Sequence, residues 1–278
     1  MRRWVVVSLA VVLATAAGCS TRNNQLGMTG TLRMQITDAP AAYDAVRLVI
    51  IEVSAHRAGA DTTTGWEVLR TDSTTFDLIQ LKNGTLAPLV TSTLPAGNYT
   101  QIRLKLGAGS TVVVDGVSHP LEIPSGMQSG LKLNGIFSVP AGGTTDLILD
   151  FDADRSIVLT GAGTYLLKPV VRVVDASTAG TIKGRVLPDT TRAEVWALVP
   201  GDTVGHTSTA SDGRFTLIAL PSGTYSVAIH PAAGFRDTTI TGVSVAANQI
   251  TDLGDVTLTP KAGAQIRLGG SLLGGRTR

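Results

Sequence analysis

The chain has 278 residues and a formal net charge of +2, with 43% hydrophobic and only 4% aromatic side chains beside 31 glycines and 12 prolines. That length carries two ordinary domains with cores of Val, Leu, Ile and Ala, and the many turn formers beside scarce helix-period runs exclude a helical bundle and favour an all-β protein. The positive charge sits at the ends: Gly30–Asp175 holds 11 Lys/Arg against 14 Asp/Glu and Thr181–Pro260 holds 5 against 7, so both bodies are weakly acidic and offer no basic face to a nucleic acid.

The first residues, MRRWVVVSLAVVLATAAGCS, place two arginines before an apolar run from Trp4 to Ala17. The run is shorter than the roughly 20 residues that span a bilayer, and its small-residue end predicts a signal peptide over residues 1–18. Two cleavage readings are open. Ala14-Thr15-Ala16 fits an ordinary site, whereas Ala16-Ala17-Gly18-Cys19 resembles the lipobox of bacterial lipoproteins, which implies a lipid on Cys19. Cys19 is the only cysteine. Left free it would be an exposed thiol on an exported protein, and that favours the lipoprotein reading. Residues 19–29 then form a polar tether. The resemblance, with Ser20 after the cysteine, implies an exported cell-envelope protein whose partner is the membrane, at the outer membrane or cell surface. Without disulfides the domains must be stable through burial.

Residues 30–176 are expected to form one β-sandwich. In TLRMQIT, Leu32, Met34 and Ile36 alternate with polar residues, the mark of a half-buried strand. AVRLVIIEV is continuously apolar and predicts a central strand. Asp115-Gly116, between two β-branched runs, predicts a type I′ hairpin. The phrase LPAGNYTQIRL (Leu94 to Leu104) sets a proline-glycine turn before an alternating strand, and predicts that Tyr99 folds over the core edge to hydrogen-bond backbone as a tyrosine corner. Taken in order, ITDAP (Ile36 to Pro40), LPAGNYTQIRL, SGLKL (Ser129 to Leu133), LDFDADRSIV (Leu149 to Val158) and YLLKPVVRV (Tyr165 to Val173) resemble an exported bacterial and archaeal family, domain of unknown function 4382. That resemblance brings no established activity.

Residues 177–180 read as a linker and 181–260 as a second β-sandwich. SDGRFTLIALPSGTYSVAIHPAAGF repeats the L-P-x-G-x-Y phrase and resembles the carboxypeptidase regulatory-like domain, a transthyretin-like sandwich. The resemblance implies an antiparallel immunoglobulin-like or transthyretin-like fold, a non-catalytic role and, through related modules, carbohydrate binding. It predicts Phe215, Leu217, Tyr225, Val227 and Ile229 inside. Residues 261–278, Gly-rich and basic, are expected to be a disordered tail.

Three features are candidates for chemistry. In DLILDFDADRS, period-two reading puts Asp150, Asp152 and Asp154 on one strand face about 7 Å apart. Three such carboxylates need a cation, which a Ca²⁺ or a neighbouring Arg155, Lys168 or Arg172 would supply. The same face is the one place a hydrolase reading finds support. Trp66 and Trp196, outside the signal segment, are candidate platforms for stacking a sugar or, alternatively, core anchors. His56, His119, His206 and His230 are scattered without metal-site spacing and are expected at the surface. No nucleophile elbow, phosphate loop or dinucleotide fingerprint is present, so no catalytic or cofactor-binding residue is assigned. The expected function is a lipid-anchored envelope protein with a non-enzymatic binding or structural role. The alternatives are a carbohydrate-binding protein and an envelope hydrolase using the acidic face. Expected partners are the membrane and an envelope polysaccharide or surface protein.

Overall fold

A computed structural model of the chain describes residues 28–124, 130–232 and 234–261. The first body contains β1 (Thr29–Asp38), β2 (Ala45–Arg57), β3 (Trp66–Arg70), β4 (Thr74–Asp77), β5 (Ala87–Pro95), β6 (Gly97–Leu106), β7 (Thr111–Val114), β8 (Val117–Glu122), β9 (Leu131–Val139), β10 (Thr144–Phe151), β11 (Ile157–Leu159), β12 (Tyr165–Leu167) and β13 (Val171–Asp175). A single helical turn, α1 (Ala153–Ser156), interrupts them after β10. The second body contains β14 (Ala179–Leu187), β15 (Ala193–Val199), β16 (Asp202–Ser208), β17 (Arg214–Pro221), β18 (Gly223–Pro231), β19 (Thr238–Val245) and β20 (Ile250–Thr257). The protein is all-β.

In the first body a four-stranded sheet, β13-β10-β1-β5, packs on a nine-stranded sheet ordered β11-β12-β8-β7-β2-β6-β9 with β3 and β4 also paired to β2. In the second, β17-β14-β20 packs on β16-β15-β18-β19. The expectation of purely antiparallel sheets needs correction, because β1 with β10, β8 with β12 and β14 with β20 are parallel. Parallel neighbours need a long crossover, and here an entire second layer of strands separates β1 from β10 in the chain.

Alternation explains the core. Leu32, Met34 and Ile36 of β1 and Leu147, Leu149 and Phe151 of β10 are all at most 1% exposed and face Leu48, Ile50, Ile102 and Leu104 of the opposite sheet. Each such side chain contributes roughly 1.5–3 kcal/mol on burial, which lets the fold stand without a disulfide. In the second body Phe215, Leu217, Tyr225, Val227 and Ile229 are all buried, as their parity requires.

Both copies of the repeated phrase do the same work. The Tyr99 hydroxyl donates to the Pro95 carbonyl at 2.8 Å, and the Tyr225 hydroxyl to the Pro221 carbonyl at 2.6 Å. Each tyrosine closes one sandwich over its own proline turn. Asp115 and Gly116 both have positive φ, +50° and +76°, as a type I′ hairpin demands.

The two bodies are joined along a seam. Ile148 and Val174 on the outer face of the small first sheet pack with Ala179 and Ala219, flanked by Leu86 and Ile218. Beside this apolar patch, Asn83 sits at φ +57° and reaches the free edge of β17. Its Oδ1 accepts from the Thr216 backbone N–H at 2.6 Å, standing in for the missing neighbouring strand. The His206 ring lies across the seam with Nε2 at 3.3 Å from the Pro40 carbonyl oxygen.

Candidate functional site

Above the seam lies a cleft of about 860 Å³ with walls from both bodies. The first body contributes Ala39–Ala42 after β1, Asp150–Arg155 at the end of β10, and Val170 and Arg172 leading into β13. The second contributes the outer face of β15 and β16, with Glu194, Trp196, Leu198, Val204 and His206. Segments distant in sequence meet here because β1 is sandwiched between β10 and β5 while β13 pairs with β10. ITDAP, LDFDADRSIV and YLLKPVVRV thus converge at one end of the first body.

The acidic segment does not form the ladder its spacing suggests. β10 ends at Phe151, so Asp150, Asp152 and Asp154 do not share a strand face. Asp152 caps α1 instead: its Oδ1 accepts from the Arg155 N–H at 2.9 Å. Short polar side chains at this position satisfy the unpaired first-turn donors, so an Asp there favours a turn over continued strand. Ser156, 1% exposed, then ties the turn down, donating to the Asp152 carbonyl at 2.5 Å and accepting from the Val170 N–H at 2.8 Å. Asp150 is paired with Arg172 opposite it on β13, with Nε at 3.1 Å from Oδ2. Burial pushes the Asp150 carboxyl above the usual carboxylate range, while the Arg172 guanidinium pulls the other way. With Asp150 held by arginine and Asp152 by the turn, the three do not converge. No group of three or more His, Cys, Asp or Glu among the described residues is placed to hold a metal.

The carboxyl that the sequence reading missed is Asp38. It ends β1 at 5% exposure, and its Oδ1 accepts from the Ala153 N–H at 3.0 Å, linking β1 to α1. Burial foremost, then the neighbouring Asp150 and Asp152 charges, push Asp38 up to about 9 against the two backbone hydrogen bonds that favour its anion. Its parity carries the signal: Leu32, Met34, Ile36 and Asp38 are successive members of one face, and the first three are core.

Trp196 lies half-buried on the cleft wall, stacked on His206 at 5.2 Å between ring centroids and edge-on to His230 at 6.1 Å. Its indole N–H has no partner among the described residues. Trp66 is elsewhere, on the outer face of the nine-stranded sheet. Its N–H donates to the Thr62 carbonyl at 3.0 Å, and the Arg103 guanidinium covers the ring at 4.4 Å. Neither tryptophan is a core anchor, and the structure does not bring them together. His56, expected at the surface, is 7% exposed: it packs edge-on to Trp66 at 5.0 Å and donates from Nε2 to the Asp61 carbonyl at 3.1 Å. His230 is exposed and paired with Asp237 at 3.0 Å. Cys19 and most of the C-terminal segment lie outside the described residues.

Four basic side chains (Lys82, Arg155, Arg172, Arg192) and five acidic ones (Asp150, Asp152, Asp154, Glu194, Asp202) line the cleft. The charges nearly balance, so the cleft suits a neutral polar ligand better than a strong anion or cation.

A carboxypeptidase regulatory-like domain model matches residues 181–259. No curated protein matches the chain. Among solved structures, the Bacillus anthracis TIE protein is 14% identical over 84% of this chain and 34% of its own, with a TM-score of 0.23. This chain therefore spans about a third of that protein's length. GBS52, the minor pilin of Streptococcus agalactiae, is 10% identical over 84% of this chain and 98% of its own (TM-score 0.23). A fimbrial protein from Bacteroides ovatus ATCC 8483 is 9% identical over 84% and 51%, respectively (TM-score 0.25). The model for the domain of unknown function DUF4382 matches residues 29–169, half of the chain, and the chain belongs to that family.

Proposed function

We propose that this is an exported, lipid-anchored binding protein that acts without catalysis and takes its ligand in the cleft between its two sandwiches. The observation that carries the reading is the cleft itself: about 860 Å³, walled by both bodies, lined by nearly balanced charge and by one aromatic ring with a spare donor. Clefts of this size between domains are the usual place for a small-molecule or oligomer subsite. The lipid would sit on Cys19, and the tether over residues 19–29 would hold the sandwiches clear of the membrane.

A second reading, a carbohydrate ligand, is favoured by Trp196. A half-buried indole offers a flat apolar face and an N–H, the pairing that suits a sugar ring with its hydroxyls. The hydrolase alternative finds less support, since Asp150 is committed to Arg172 and Asp152 to capping α1. The test is a glycan and envelope-polymer binding screen on the mature protein, with and without calcium, repeated on Trp196→Ala. Loss of binding in that variant is expected. A hit that survives Trp196→Ala and fails in Trp66→Ala would move the site to the other tryptophan. Intact mass of the membrane-extracted protein tests the acyl group on Cys19.

A further inference from the structure

Three buried side-chain polar atoms lack a hydrogen-bond partner among the described residues: Asp38 Oδ2, Thr207 Oγ1 and Trp196 Nε1. All three lie where the two bodies meet. Asp38 of the first body and Thr207 of the second, at 5% and 2% exposure, line one small cavity of about 20 Å³ at the floor of the seam. Buried polar groups are almost always paired, and leaving one unpaired costs about 1–3 kcal/mol, so two facing one cavity from opposite bodies call for a shared partner. The volume is that of one water, which needs a site of roughly 10–15 Å³ with at least two polar partners.

We propose that a single water fills this cavity and bridges the Asp38 carboxyl to the Thr207 hydroxyl, so that Asp38, as a hydrogen-bond donor, fastens the first body to the second beneath the cleft. The inference does not depend on which ligand the cleft takes. The surroundings favour the neutral acid. Asp150 on β10 and Asp152 at the start of α1 both oppose a charge on Asp38. The neighbouring cation, Arg172 on β13, is spent on Asp150. From the second body the cavity is faced by His206 on β16 and by the neutral Thr216 on β17, and Asn83 closes its side. Asp150, Gly205 and His206 line both this cavity and the cleft, so the fastening and the cleft share a wall.

The pH dependence follows. A carboxyl that is ordinary in the unfolded chain but pushed up to about 9 in the fold gives its full stabilisation below about pH 4 and loses it progressively as pH rises to about 9. In that window the folded-to-unfolded ratio falls by up to about tenfold per pH unit on account of this one group. Asp38→Asn keeps the acceptor for Ala153 and a donor for the water but cannot ionise.

The experiment is urea unfolding of the full mature chain between about pH 5 and about pH 8, with amide exchange at Ala153, for wild type, Asp38→Asn, Thr207→Val and Thr207→Ser. A His206→Gln background removes the imidazole's own titration. We expect Asp38→Asn to gain on wild type by tenfold or more in folding equilibrium across that range. We also expect Thr207→Val, but not Thr207→Ser, to speed exchange at Ala153 severalfold. Equal pH slopes in wild type and Asp38→Asn would overturn the proposal, as would Thr207→Val behaving like Thr207→Ser. Stabilisation of wild type but not Asp38→Asn by millimolar calcium, or by sodium over tetramethylammonium, would show that the occupant is a cation and would overturn it equally.

Discussion

Replacing Asn83 tests whether the two sandwiches are held as one binding unit. Asn83→Ala removes the Oδ1 acceptor that lies 2.6 Å from the Thr216 N–H, a loss of about 1 kcal/mol for a partly buried backbone donor. It also places alanine at φ +57°, where a Cβ costs about 1 kcal/mol more than asparagine, which tolerates this region. The Nδ2 contact to the Arg214 carbonyl, at 3.4 Å, is too long to add much. The sum is about 2 kcal/mol for Asn83→Ala and about 1 kcal/mol for Asn83→Gly, which is free of the backbone penalty. Asn83→Asp keeps the acceptor and is expected within about 0.5 kcal/mol of wild type. Urea unfolding gives the three values, and amide exchange at Thr216 reports the contact itself. If alanine and glycine are equally harmless and the Thr216 amide stays protected in both, Asn83 does not serve as the edge partner of β17 and the joint must rest elsewhere.

Other consequences are separately measurable. Tyr99→Phe and Tyr225→Phe each delete one hydroxyl-to-carbonyl bond, and each is expected to cost about 1 kcal/mol in chemical unfolding, with no effect on ligand binding. Arg172→Ala leaves the Asp150 carboxyl buried beside Asp152. With the guanidinium about one-third exposed, the expected cost is about 2 kcal/mol rather than the larger value of a fully buried pair, and it should shrink as pH falls and Asp150 takes a proton. Asp152→Ala removes the cap of α1 and is expected to cost about 1 kcal/mol and to raise amide exchange at Arg155. Asp152→Asn, which still accepts, should cost less.

Local pattern carried most of the architecture. Period-two runs placed Leu32, Met34, Ile36, Phe215 and Val227 inside, and the repeated L-P-x-G-x-Y phrase located both tyrosine corners, because these features depend on a residue and its near neighbours. What depends on partners far along the chain was not legible. Alternation put Asp150 outside its own sheet, as observed, but only the second body could reveal what covers it. The Asp150, Asp152, Asp154 ladder failed because capping of α1 by Asp152 ended the strand at Phe151. Asp38 was legible in principle, since it stands in phase with three core residues. An acidic residue in a core phase is a signal that β1 runs into a polar junction. Nothing near Asn83 or Thr207 in sequence indicates that each meets the other body.

The account stands most directly on where the ligand binds. Equilibrium titration of the best polymer or glycan from the screen against the full mature chain, wild type beside Trp196→Ala and Trp66→Ala, addresses that point. Affinity is expected to drop tenfold or more in Trp196→Ala, about the contribution of one stacked aromatic, and to be unchanged in Trp66→Ala. Undiminished binding by Trp196→Ala would contradict the assignment of the cleft as the binding site.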